Sequence, residues 1–324
     1  MIAVIAGGVG AARMLRALLT VLDAREVTAI VNVGDDLELH GLHISPDLDT
    51  VTYTLANAIN AETGWGLTAE SWQARDMLEQ LGGVSWFGLG DRDLGTHLFR
   101  TQRLGEGADL ATVTAEIAAA WNLGLTLLPA TCDRLRTMVT LAADDLPDQN
   151  LAPLPAGSEI SFQEYFVQRQ HSVPVASVRF DGAEDCSPAP GVLEAIATAD
   201  QIIIAPSNPI VSIAPVLAIP GIREALTARR SDVIAVSPII AGAALKGPAG
   251  RMLVELEHEA SVTGIALLYR DFAGTLVIDT ADAQSASAIE HTGLSCIVTE
   301  TIMSKPGVSE SLAHAVLSAR MGKN

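Results

Sequence analysis

Six short apolar runs, rich in β-branched residues and almost free of charge, recur at residues 2–6, 28–33, 201–205, 232–236, 275–278 and 294–298. Runs of this length read as strands buried on both faces, since a strand with one wet face would alternate apolar with polar residues. Between most of them lie helical patterns, with apolar positions recurring at helical spacing over residues 11–22, 213–226, 281–289 and 310–321. This alternation predicts an α/β fold, a Rossmann-like, mostly parallel sheet with helices on both faces. Residues 62–184 differ in texture, with helix patterns at 68–81 and 109–121 and strand patterns near 136–141 and 175–180. We read a single domain over 1–324, its core at about 1–61 and 185–324 and a cap or insertion at about 62–184.

Twenty basic against 38 acidic residues give a formal net charge of −18, and no run of Lys or Arg offsets it locally. Nucleic acid and anionic membranes are therefore excluded as expected partners. A phosphorylated substrate would need a divalent metal, helix N-termini and a few well-placed arginines. There is no positively charged leader before Arg13 and no uninterrupted apolar stretch long enough to span a bilayer. Cys132, Cys186 and Cys296 are few and far apart, against a disulfide framework or a zinc site. A cytoplasmic address is expected. Neither a G-x-S-x-G elbow nor a G-x-x-x-x-G-K-[ST] loop is present, which removes serine hydrolases and P-loop NTPases.

The first strand empties into Gly7-Gly8-Val9-Gly10-Ala11-Ala12-Arg13 and then a helix, an arrangement that aims backbone N–H groups at a phosphate; a tight turn with no ligand is the other reading. A dinucleotide is disfavoured, because Arg13 stands where a small residue should pack the helix on the strand. Past the second run come Asp35, Asp36, Asp47 and Asp49. Clustered carboxylates at a strand end fit a Mg²⁺ site, which takes one or two carboxylates plus substrate phosphate oxygens; a solvated acidic loop is the other reading. Gly88-Leu89-Gly90-Asp91-Arg92-Asp93 offers an arginine for a phosphate, or a solvated helix cap, while Trp86 and Phe87 before it read by default as core, with stacking on a flat ring as the sharper reading. The loops Pro206-Ser207-Asn208-Pro209 and Ser237-Pro238-Ile239-Ile240 follow adjacent strands and suggest one continuous cleft at the carboxyl edge of the sheet.

In their order, the glycine loop, Asn32-Val33-Gly34-Asp35-Asp36, His40-Gly41-Leu42, Pro46-Asp47-Leu48-Asp49-Thr50, Trp86 to Leu94, Ala205 to Pro209 and Ser237 to Ile240 closely resemble the 2-phospho-L-lactate transferase family (CofD/FbiA). The resemblance implies transfer of a phospholactyl or phosphoenolpyruvyl group from a guanosine diphosphate conjugate to the deazaflavin Fo, releasing GMP in coenzyme F-420 biosynthesis. It also implies Mg²⁺ dependence and a homodimer. On that basis Asp35 and Asp36 are expected to hold the metal, and Asp49, Thr50 and Arg92 to meet Fo. Asp49 would orient or deprotonate the attacking hydroxyl, making Asp49, Asp35 and Arg92 the expected catalytic residues. Gly8, Gly10 and Arg13 would hold the diphosphate, and Ser207 and Asn208 the nucleotide. The three-carbon acid of the donor stays open. A non-catalytic nucleotide-sugar-binding regulator of the same superfamily and an NAD-dependent oxidoreductase are the alternatives.

Overall fold

The computed structural model describes residues 1–146, 151–244 and 248–319. Its centre is a seven-stranded sheet of β1 (Ile2–Ala6), β2 (Val27–Val31), β3 (Thr126–Pro129), β4 (Gln201–Ile204), β5 (Val233–Val236), β6 (Thr275–Asp279) and β7 (Ser295–Thr299). The spatial order is β7-β6-β5-β4-β1-β2-β3 and every pairing is parallel. β1, β2, β4, β5 and β6 are buried along their whole length, because helices cover both faces. The expectation of a Rossmann-like sheet holds, and all six apolar runs are strands in it.

The seventh strand, β3, carries no such run. It lies inside the stretch read as cap, yet Thr28 to Val31 of β2 pair with Thr126 to Pro129. Leu110, Leu123, Leu125 and Leu127 join the main core. The core sheet thus reaches into residues that texture alone had set apart. β3 is Thr-Leu-Leu-Pro, with Thr126 its one β-branched residue and a proline at its end, which is why it lacked the signal. A separate three-stranded antiparallel sheet, Glu159–Ser161, Arg136–Leu141 and Val175–Asp181, has its own small core with Val139, Ile160 and Tyr165.

Five helices precede β3: α1 (Gly8–Leu18), α2 (Pro46–Leu55), α3 (Gln73–Gln80), α4 (Asp93–Gly105) and α5 (Leu110–Ala120). α1 buries Ala11, Met14, Leu15 and Leu18, one face at helical spacing. α2 has Pro46 in its first turn and Asp47 and Asp49 beside it, which suits a helix start. α3 buries none of its residues. The pattern at 213–226 resolves into a π-helical turn, Pro209–Ile213, followed by the helices Ala214–Ala218 and Ile222–Ala228. The pattern at 310–321 becomes Val308–Ser318, and its last positions lie outside the described residues. No single helix among the described residues is long and apolar enough to cross a membrane.

Candidate active site

The strand order reverses between β1 and β4, where a crevice opens at the carboxyl ends of the strands. A cavity of about 970 Å³ lies over this point. Gly8, Gly10 and Arg13 form part of its floor with Pro206, Ser207 and Asn208. Gly7 is extended and Gly8 takes φ +67°, so the turn presents the first amides of α1 without a side chain in the way. A Cβ at Gly10 would lie 2.1 Å from the Pro206 carbonyl oxygen, which brings the two strand-end loops into direct backbone contact. Ser207 donates its hydroxyl to the Gly7 carbonyl at 2.7 Å, and Asn208 Oδ1 accepts from the Ile210 amide at 2.9 Å. Both line the cavity as expected, but these polar atoms hold the floor together. Ser237, Pro238 and Ile240 line the same cavity, so the two loops do share one cleft.

Asp35, Asp47 and Thr50 also reach the cavity. Asn32, wholly buried at the end of β2, donates to Asp47 Oδ2 at 2.9 Å and accepts from the Gly34 amide at 2.8 Å. Burial raises the Asp47 carboxyl to about 7, against the pull of Asn32 and the Gly8 amide and with a further push from Asp36. Asp35 is likewise raised well above the usual carboxylate range by burial and by the charges of Asp47 and Asp36. Asp36 lies just behind, its Oδ2 accepting from Ser45 Oγ at 2.8 Å and facing His43 Nε2 at 3.1 Å. Oδ1 of Asp35 and Oδ1 of Asp36 have no hydrogen-bond partner among the described residues. Two buried carboxylate oxygens without donors are what a small divalent cation would satisfy, so this pair fits Mg²⁺. Among the described residues no group of three or more His, Cys, Asp or Glu could hold a metal, so substrate oxygens and water would complete the shell.

Two of the expected residues lie off this cavity. Asp49 does not line the cavity. It points the other way on α2 and pairs through both oxygens with Arg100 of α4, a buried guanidinium only 2% exposed. Burial pulls Arg100 down, but the charge and hydrogen bonds of Asp49 outweigh it and hold the guanidinium protonated. His97 stands 3.7 Å from Asp49 and 3.2 Å from Asp93, and Tyr53 donates to Asp93 at 2.6 Å. The two aspartates of the motif therefore divide by helix face: Asp47 and Thr50, three apart, meet the cavity, while Asp49 and Tyr53, four apart, bind α2 to α4. Arg92 is exposed and off the cavity, its guanidinium on the Thr68 carbonyl at 2.6 Å and its amide on Glu70 at 2.8 Å.

Trp86 and Phe87 face the cavity rather than the core, which leaves them free to stack on a flat ring, and Trp65, Phe162 and Phe166, which the sequence did not single out, complete an aromatic wall. Phe162 and Phe166 stack with centroids 5.4 Å apart across the π-helical turn Glu164–Gln168. Arg75 and Glu79 of α3 line the cavity too. A helical wheel of α2 would have separated Asp47 from Asp49; nothing in the local sequence marks Arg75, because a charged residue on a polar helix reads as solvated.

The family model described as 2-phospho-L-lactate transferase CofD matches residues 2–303. The phosphoenolpyruvate transferase of Kitasatospora aureofaciens is 41% identical over 320 residues, covering 98% of this chain and 97% of its own. That of Streptomyces griseus subsp. griseus gives the same identity and coverage, and that of Nocardia farcinica is 39% identical over 317 residues, covering 96% of this chain and 93% of its own. A crystal structure of a UPF0052 family member from Bacillus halodurans aligns over 98% of both chains with a TM-score of 0.57 and 19% identity, a likeness of fold.

Proposed function

The chain belongs to the 2-phospho-L-lactate transferase CofD family, and on that premise we propose that it is a transferase moving a phosphoenolpyruvyl group from a guanosine diphosphate conjugate to the terminal ribityl hydroxyl of Fo in coenzyme F-420 biosynthesis. The name of the relatives at 41% identity favours enolpyruvate over lactate as the three-carbon acid. One observation carries the reading: a phosphate-type glycine turn and the buried carboxylates Asp35 and Asp47 meet in one cavity large enough for two substrates.

The amides at the start of α1 and the Arg13 guanidinium bind the diphosphate, and the aromatic wall takes the deazaflavin ring face. The hydroxyl oxygen attacks the distal phosphorus, the bond to the bridging oxygen breaks, and GMP departs. Asp47, poised near neutrality, accepts the hydroxyl proton. Thr50, one turn further along α2, orients the same hydroxyl. Asp49 and Arg100 serve by fixing the helix that presents both. Mg²⁺ on Asp35 and Asp36 would neutralise charge on the diphosphate. We further propose a cytoplasmic homodimer.

The test is to incubate the purified protein with Mg²⁺, Fo and each guanosine diphosphate conjugate, then weigh the products. A deazaflavin phosphodiester and GMP are expected, faster from the enolpyruvyl donor. Tight binding without any product would overturn the transferase reading in favour of a regulatory one.

A further inference from the structure

Only two cationic side chains line the cavity among the described residues, Arg13 and Arg75, and they come from different elements. Arg13 sits in the second turn of α1, where the glycine turn already presents amides to a phosphate. A phospho-acid has a second anionic end, its carboxylate, and the carboxylates that line this cavity, Asp35, Asp47 and Glu79, would repel it. We propose that Arg75 is the residue that recognises the substrate carboxylate and so sets the requirement for a three-carbon acid. This rests on the phospho-acid reading of the cleft.

Three observations support it. Arg75 is ion-paired with Glu79 on its own helix, with N···O distances of 3.2 and 3.3 Å and both side chains more than 40% exposed. An exposed pair of this kind contributes little, so a substrate carboxylate can displace Glu79. The guanidinium carbon lies 5.7 Å from the Trp72 ring centroid, a contact that steadies the guanidinium without using the N–H groups that Glu79 now occupies. A planar fork matches a carboxylate through two parallel N–H···O bonds, which a lysine cannot reproduce. Arg75 also lines a second, mostly apolar cavity of about 160 Å³ together with Ser85 and Phe87, both of which face the main cleft as well. The carbon skeleton of a small acid held by Arg75 would therefore lie beside apolar surface.

The experiment compares phosphoenolpyruvate and 2-phospholactate with ethyl phosphate, which keeps the phosphate and lacks the carboxylate, by titration calorimetry on the full chain with Mg²⁺. Wild type should bind the two acids about tenfold or more tighter than ethyl phosphate, as a charge-assisted bidentate pair requires. Arg75→Ala should bring that ratio to about one without weakening ethyl phosphate, Arg75→Lys should restore it in part, and Glu79→Gln should tighten the acids alone. A ratio that survives in Arg75→Ala would overturn the assignment, and so would equal loss of acids and ethyl phosphate, which would place Arg75 on the phosphate. Wild type that binds both acids no better than ethyl phosphate would refute the inference alone. Wild type that binds none of the three would refute the phospho-acid reading beneath it.

Discussion

Replacing Asp47 by asparagine should make the protein more stable and nearly inactive at once. The carboxyl is raised from 3.8 to about 7 chiefly by burial. The folded state therefore binds this proton more tightly than the unfolded chain, and native stability falls as pH climbs from about 4 through about 7. Three pKa units at about 1.4 kcal/mol each amount to about 4 kcal/mol of destabilisation by Asp47 at pH 8. The side chain of the Asp47→Asn variant cannot ionise, and its amide oxygen can keep the hydrogen bond from Asn32 that Asp47 Oδ2 now accepts. With an unfolding entropy of about 0.7 kcal/mol/K for a chain of this length, the variant should melt about 6 °C higher than wild type at pH 8. The gap should close toward pH 4. Turnover should drop about 10²-fold or more, since a base placed at the reacting hydroxyl is lost. Calorimetric melts in EDTA across this pH range, paired with chromatographic assay of the deazaflavin product, read both effects. A melting difference that does not grow with pH would refute the electrostatic argument, and near wild-type turnover would remove Asp47 from the chemistry.

Asp49→Asn and Arg100→Met should each cost about 3–5 kcal/mol, because either leaves a buried partner unmatched, and the double variant should recover much of the loss; additive losses in denaturant titrations would contradict the pairing. Gly10→Ala must push the Pro206 carbonyl aside, so we expect about 1–3 kcal/mol of destabilisation and a higher donor KM, measured by melts and steady-state kinetics; a silent substitution would mean the two loops do not meet. Asp35→Asn should raise the Mg²⁺ concentration needed for half-maximal rate, and an unchanged metal titration would take Asp35 out of the metal site.

The central strands were legible because parallel strands covered on both faces must be apolar throughout, as Val4, Ile30 and Ile203 are. The edge strand β3 was not, since Thr126 is its one β-branched residue and Pro129 ends it. The glycine turn was legible from backbone chemistry alone. Which aspartate of Pro46-Asp47-Leu48-Asp49-Thr50 faces the cleft was hidden until α4 supplied Arg100, a residue 51 positions away from Asp49. The place of Arg92 was hidden in the same way: its guanidinium ties the chain back to Thr68, 24 positions earlier. Contacts between distant segments leave no local mark.

The absence of any buried residue from α3 divides the cleft by local stability. Its floor, from β1 and β4, belongs to the unit that opens only when the whole sheet unfolds, whereas α3 can detach at small cost. Amides of Ile5 and Ile203 should exchange with deuterium on the slowest timescale the protein shows, and those of Met77 and Leu78 within the fastest. Substrate that engages Arg75 would slow the second group without touching the first, so α3 records occupancy while the floor does not.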